Sequence, residues 1–249
     1  MAKQIGIIKL KGTIGDLSFY KTKDGHLARE KGGVDAERIK NDPAFERTRE
    51  NGAEFGSAAK SGKLVRDAFR TLMMRSSDGR VTSRLTKLMS DIRALDTTSA
   101  RGERNVAVAI VDPAAKDLLK GFNFNNRAIL GAVLYRPYSV NTGAGEISIQ
   151  GLIPNLHVAY PSGATHMAFS GAWAKVDFAT DMYSVELTNT ENLVIDATQT
   201  DLLLAAGTAP TGTGTDVFLL MVEFFQEVNG VQYSMNNGSY NALSIVDVA

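Results

Sequence analysis

Val217 to Phe225 reads Val-Phe-Leu-Leu-Met-Val-Glu-Phe-Phe, an apolar run broken only by Glu223. A segment with apolar residues at consecutive positions has no face left for water, and it is far too short to span a membrane. It predicts a central strand buried on both faces, and this constrains the chain more than any other stretch. The run leads into Phe225-Gln226-Glu227-Val228-Asn229-Gly230-Val231-Gln232-Tyr233. Asn229-Gly230 supplies both positive-φ residues of a type I′ turn between two strand-like arms, so a hairpin is expected there. Further β-rich runs fall at 128–137, 145–152, 166–178, 182–195, 216–228 and 231–247. Clusters such as Asn141-Thr142-Gly143 and the stretch 207–215 separate them. Six to eight strands with short turns predict an antiparallel β-sandwich.

The N-terminal part has a different texture. Ile8 and Leu10 alternate with Lys9 and Lys11, and Leu17 and Phe19 alternate with Ser18 and Tyr20, the period of a half-buried sheet. Asp24-Gly25 is a second hairpin signal. Asp42-Pro43 then starts a helix, with Asp as N-cap and Pro at the first helical position. Phe55, Ala58, Gly62, Val65, Phe69 and Leu72 form one helical stripe. Glycines on or near that stripe cost roughly 1 kcal/mol each in helix propensity, so close approach by another backbone is expected there. Ser76-Ser77-Asp78-Gly79 breaks the helix. A second one over 81–95, with Leu85, Leu88, Ile92 and Leu95 as its stripe, closes an αα-hairpin. The polar stretch 97–104 marks a domain boundary, after which Asp112-Pro113 caps a short helix ending near Gly121. The expected class is α+β: a small N-terminal β-sheet with a helical hairpin over 1–104, then an antiparallel β-sandwich over 105–249.

Charge is split along the same line. Residues 1–105 hold 22 of the 27 Lys and Arg but 14 of the 27 Asp and Glu, a formal balance of +8. Residues 106–249 hold the other 5 bases and 13 acids, a balance of −8. Such a two-pole chain can stack head to tail on its own copies, or lay its basic pole on a polyanion. For a polyanion, the expected contacts are Arg47, Arg49, Lys60, Lys63, Arg66, Arg70, Arg80 and Arg84 on the helices. Acids are interleaved with them at Glu46, Glu50, Glu54, Asp67, Asp78 and Asp91, so part of this charge is self-paired.

Signals for chemistry are weak throughout. Gly56-Ser57-Ala58-Ala59-Lys60-Ser61-Gly62-Lys63-Leu64 fails as a phosphate loop. Its second Gly is one residue late, Leu64 stands where a Mg²⁺-binding hydroxyl is needed, and no strand leads in. His26, His157 and His166 lack metal-ligand spacing, and no Gly-x-Ser-x-Gly elbow occurs. Asp177 with Asp181, and Asp196 with Asp201, read as solvated carboxylates at strand ends. Trp173, the one Trp, reads as sandwich core. The absence of Cys excludes disulfides and thiolate metal sites. No cofactor or metal is expected, and no enzymatic activity. The opening, Met1 to Lys9, has no apolar run of signal-peptide length, so folding in the cytoplasm is the default, with later assembly into a virion or outside the cell compatible.

Gly6-Ile7-Ile8-Lys9-Leu10-Lys11-Gly12-Thr13-Ile14-Gly15-Asp16-Leu17-Ser18-Phe19-Tyr20-Lys21 and Gly25-His26-Leu27-Ala28-Arg29-Glu30-Lys31 resemble the opening of a family of uncharacterised proteins from Bacteroidota. In that family a Gly-x-x-Gly turn, an aromatic strand and an Arg-containing strand precede a helical segment and a β-rich C-terminal domain. Residues 45–55 and 101–105 extend the likeness, which is strongest over 6–105. The resemblance implies this organisation and no activity.

Short sheets of two or three strands are marginal alone and seek a partner. With the bipolar charge, this predicts a non-enzymatic structural subunit that self-assembles into a filament, tube or virion-like shell. Its assembly interface is expected at Ile5, Ile7, Ile8, Leu10, Leu17, Phe19 and Tyr20, with other copies of the chain as partners. Nucleic-acid binding or packaging through the basic helices is the alternative, and a ligand- or carbohydrate-binding sandwich the third reading.

Overall fold

The computed structural model describes residues 2–30, 32–76 and 78–249; Met1, Lys31 and Ser77, named above, lie outside them. The protein is α+β, with two compact units, residues 1–49 and 50–249.

The first unit holds β1 (Ala2–Lys3), β2 (Gly12–Ile14), β3 (Leu17–Thr22) and β4 (Gly25–Glu30) in one antiparallel sheet of order β1-β4-β3-β2. Helix α1 (Ala36–Asn41) follows. Next comes a 3₁₀ turn, Pro43–Phe45, which the Asp42 carboxylate caps by accepting from Ala44 N at 2.9 Å. The β3–β4 loop is Lys23-Asp24, where Thr22 Oγ1 accepts from Asp24 N, and only Gly25 beyond it takes positive φ. The Asp-Gly pair therefore ends the turn rather than forming its two central positions.

Helix α2 (Glu46–Ala68) runs into the second unit, followed by α3 (Arg70–Met73) and α4 (Val81–Arg93). The expected stripe is buried at Ala58, Gly62, Val65, Phe69 and Leu72, whereas Phe55 is exposed. At Gly62 a methyl would already touch Thr86 N and Leu85 C of α4 at 3.6 and 3.7 Å, the close backbone approach that the small residue allows. Gly52 and Gly56 have no such neighbour. Short helices α5 (Val106–Ala109), α6 (Pro113–Leu119), α7 (Leu130–Val133) and α8 (Pro154–His157) lie along the connections. Asn105 caps α5 and Asp112 caps α6 through their side-chain oxygens.

The strands are β5 (Ser139–Asn141), β6 (Glu146–Leu152), β7 (His166–Asp177), β8 (Met182–Leu187), β9 (Glu191–Val194), β10 (Thr200–Ala205), β11 (Thr215–Val228), β12 (Val231–Ser234) and β13 (Ala242–Val248). Residues 128–137 form α7 and a single bridge at Leu134, not the expected strand, and β10 forms where no strand is expected from the sequence. In the six-stranded sheet β11 is central, paired with β7 on one side and β12 and β13 on the other; β8 and β9 pair with the far side of β7. A three-stranded sheet of order β10-β6-β5 lies opposite.

Strand periodicity sorts β11 between two cores. Val217, Leu219 and Met221 join Ala172, Ala174, Leu243 and Ile245 against the helical residues Val65, Phe69, Leu85, Met89 and Ile92. Phe218, Leu220, Val222 and Phe224 join Phe169, Trp173, Ile147, Ile149, Leu202 and Leu204 between the sheets. The layers are therefore helices, large sheet and small sheet, and the apolar run is buried on both faces as expected. Small residues of β7 oppose large ones of β11, Ala174 beside Val217 and Ala172 beside Leu219, which leaves room for α2 and α4. Asn229 and Gly230 take φ of 53° and 77°, the type I′ signature.

Candidate assembly surface

Among the described residues of the first unit, none is buried. The sheet's register explains how its apolar side chains gather without a core. Ile14 pairs with Leu17, Gly12 with Phe19, and Phe19 with Ala28, so Ile14, Leu17, Phe19 and Ala28 share one face. Ile14 and Leu17 are exposed on it, and Phe19 and Tyr20 are half-buried. The opposite face carries Ser18, Tyr20, Leu27 and Arg29, whose guanidinium lies over the Tyr20 ring at 5.7 Å.

The expected strand over residues 5–10 does not form. Gln4 folds the chain back instead: its Nε2 donates to Leu10 O at 3.3 Å and Leu27 O at 2.9 Å, and its Oε1 accepts from Leu10 N at 2.8 Å. An amide side chain thus takes the place of a neighbouring strand. The closed loop presents Ile5 at 91% exposure, Ile8 at 81% and Ile7 with no cover at all, with Leu10 exposed beside them. The backbone of residues 5–8 makes no hydrogen bond among the described residues. Four aliphatic side chains in six residues, facing water on a loop, form the kind of apolar patch that marks an interaction site.

The edges of the larger unit are mostly protected. Residues 121–124 run along β13, with Gly121 N donating to Ile245 O and Phe124 N to Leu243 O, both at 2.8 Å. Asn189 caps the outer edge of β10: its Nδ2 donates to Leu203 O and its Oδ1 accepts from Ala205 N. Strand β8 is closed at its C-terminal end, where Thr188 bridges Ala206 and Asn189 N donates to Ala205 O at 3.3 Å, and Thr211 N donates to Ser184 Oγ at 3.2 Å. Strand β8 also exposes Met182, Tyr183 and Leu187.

The expected polyanion contacts are largely engaged elsewhere. Arg84 donates to Asn123 O at 2.8 Å, to Phe124 O at 3.2 Å and to the Asp78 carboxylate at 2.5 Å, and lies over the Phe122 ring. Burial would push the Asp78 carboxyl up. Donors from Arg80 N, Arg84 and Asn126 N outweigh it and hold the group below its ordinary value. Arg49 donates to Ile39 O and Asp42 O. Lys60 pairs with Asp181 and Lys63 with Asp67, while Arg66 bonds Gly62 O within its own helix. Arg47, Arg70 and Arg80 are exposed. Arg47 and Arg49 lie in the first unit and the other six in the second, so the eight do not form one patch within either unit.

His26 Nδ1 is enclosed with no hydrogen-bond partner among the described residues, whereas the other candidates have structural roles. The phosphate-loop-like stretch 56–64 is the middle of α2. Asp177 accepts from Ala179 N, Thr180 N and Thr213 Oγ1, Asp196 from Thr198 N and Asp201 from Gly151 N. His157 Nδ1 accepts from Ile153 N, and His166 lies 3.4 Å from the Glu227 carboxylate. Trp173 stacks on Phe218 at 5.6 Å and donates to Asp216 at 2.6 Å, so it is core as expected. Glu223, the one charge within the apolar run 217–225 of the central strand, faces the helical layer and is held by Arg75 at 2.6 Å. Burial pushes its carboxyl up, against the pull of that arginine. Among the described residues no group of three His, Asp or Glu is placed to hold a metal ion, and no helix is long and apolar enough to cross a membrane.

No family model, curated protein or solved structure matches this chain.

Proposed function

We propose that the chain is a non-enzymatic structural subunit that assembles with copies of itself through its N-terminal unit, forming a filament, tube or shell. The observation that carries this reading is the unit of residues 1–49: four strands, no buried residue among those described, and Ile5, Ile7, Ile8, Ile14 and Leu17 facing water. A small sheet gains its stability from a covered apolar face, and this one has none. A neighbouring copy would supply that cover. The opposed charges of the two halves of the sequence favour a head-to-tail contact, which is heterologous and propagates.

Negative-stain electron microscopy of the purified full chain, over a range of protein and salt concentrations, tests the reading. Regular rings, tubes or filaments are expected. Discrete monomers at every condition would contradict it. Tight binding of duplex DNA by those monomers, lost steeply with salt, would favour nucleic-acid binding instead.

A further inference from the structure

We propose that the cavity between the end of α3 and the β11–β12 hairpin binds a neutral, polyhydroxylated ligand, a sugar ring. This is a binding activity of the second unit, separate from assembly through the first.

The cavity measures about 490 Å³, within the range of sites that hold a small molecule. Its lining among the described residues belongs wholly to the second unit. Glu223 and Phe225 enter it from β11, two residues apart and so on one face of the strand. Ser234 pairs with Phe225 across the hairpin and stands on that same face. Met74 and Arg75, just beyond α3, form the facing wall.

The acid of the cavity is only half used. The Glu223 side chain is 5% exposed, and Arg75 holds its Oε2 alone. Oε1 accepts from no group among the described residues, yet it is not sealed from solvent. A carboxylate oxygen at this depth demands a donor. Nε and Nη2 of Arg75 also donate to nothing among the described residues. An open acceptor therefore lies beside open donors.

The third wall is preorganised. Asn236, Asn237 and Gly238 hold φ of 46°, 49° and 75°, three left-handed residues in a row, two of them with side chains. Such backbone persists where its surroundings over-determine it, and it gathers at ligand sites. Here Gly238 lies so close to Arg75 that a Cβ would come within 2.2 Å of the Arg75 carbonyl oxygen. Asn241, buried, donates to that same oxygen at 2.8 Å and accepts from Phe224 N at 3.2 Å. Asn125, also buried, donates to Ser239 O and Asn241 O. These bonds fix the loop against Arg75 and leave Asn237 exposed at the cavity.

Charge selects the ligand. Glu223 and Arg75 are the only charged residues of the lining among those described, and they cancel. An anion would meet Glu223, and a cation would compete with Arg75 for it. A hydroxyl both donates and accepts through one oxygen. Adjacent hydroxyls of a sugar can thus donate to Glu223 Oε1 and accept from Arg75 together. Ser234 and Asn237 offer further bonds, and Phe225 and Met74 offer apolar cover for the C–H face of the ring.

Ligand-observed NMR on the full chain tests this, with the methyl glycosides of glucose, galactose, mannose and N-acetylglucosamine as probes. Saturable binding of at least one is expected. Free lysine, glutamate and alanine are the cationic, anionic and zwitterionic comparators, and each should bind about tenfold more weakly or worse. Glu223→Gln should weaken the sugar about tenfold or more. Ser234→Trp, at an exposed position, fills the cavity and should abolish binding; it keeps the test decisive where Glu223→Gln fails to fold. No saturable binding by any of the sugars, a comparator that binds as well as they do, or a folded Ser234→Trp chain that binds like the parent would overturn the site. None of these outcomes alters the reading of self-assembly.

Discussion

At the scale of single residues, two positions hold the larger unit in ways that a substitution should expose. Gly145 takes a φ of 70°, and a Cβ built there would lie 2.2 Å from Cε3 of Trp173. The Trp ring occupies the space a side chain would fill, and it is fixed by its stacking on Phe218 and its bond to Asp216. Gly145→Ala combines left-handed backbone strain with overpacking, each on the order of 1–3 kcal/mol. A thermal melt should show a fall of several degrees or more, and an unchanged melt would contradict the packing of this corner. Asp96 is the second position. Burial would push its carboxyl up, but donors from Ser99, Asn105 and Thr98 reverse this and hold it far below the usual carboxylate range. A depressed folded-state value stabilises the protein above the unfolded carboxylate pKa of about 3.9 and is lost as pH falls through and below it. Asp96→Asn loses the Oδ2 acceptor for Asn105 N, at a cost of about 1–3 kcal/mol near neutral pH. Denaturant titrations should show that gap closing as pH drops from about 5 towards 2; a gap that persists at acid pH would count against the ionised carboxylate as its source.

At the scale of elements, the turn at Asn229-Gly230 and the link between the units carry the predictions. Gly230 has open space around its Cα, so its constraint is backbone alone. Gly230→Val should cost on the order of 1–2 kcal/mol through φ, and a chain that melts as before would mean the positive φ is not required. Limited trypsinolysis separates two places for a boundary. The polar stretch 97–104 suggests cleavage at Arg101 or Arg104, yet those side chains are paired with Glu50 and Glu54, and Gly102 N donates to Glu54 at 2.9 Å. Arg38 and Lys40 lie on α1, which buries no residue, at the end of the first unit. Early fragments should therefore begin after Arg38 or Lys40, whereas first cuts at Arg101 or Arg104 would place the boundary at 97–104. The central strand, the type I′ hairpin, the capped helices and most of the helical stripe were readable because each depends on local spacing or a fixed turn chemistry. Phe55 continued the stripe by spacing but has nothing packed over it. Residues 128–137 have strand composition, yet Leu130 and Val133 are buried on a single helical turn. Residues 5–10 have the alternation of a strand but no neighbour to pair with, and the Gln4 side chain closes them into a loop. Ile5, Ile7 and Ile8 are exposed, as the proposed interface requires, but on a closed loop and not on the expected strand.

At the scale of the whole molecule, the account is that an exposed apolar patch on the N-terminal unit and a bipolar charge serve association between copies. The electrostatic part should weaken as salt shortens the screening length to about 3 Å at about 1 M. The apolar part should survive. Light scattering should accordingly show slower association at high salt, with finished assemblies persisting when salt is added afterwards; rapid dissolution of finished assemblies would show that charge alone holds them.

The most direct test of the central claim is sedimentation of the full chain beside an Ile7→Asp, Ile8→Asp double variant across a wide concentration range. Both side chains are exposed and touch no core, so the variant should keep the circular dichroism spectrum and melt of the parent. The account predicts large, concentration-dependent species for the parent and a folded monomer for the variant. A parent that sediments as a monomer throughout, or a folded variant that assembles as well as the parent, would contradict it.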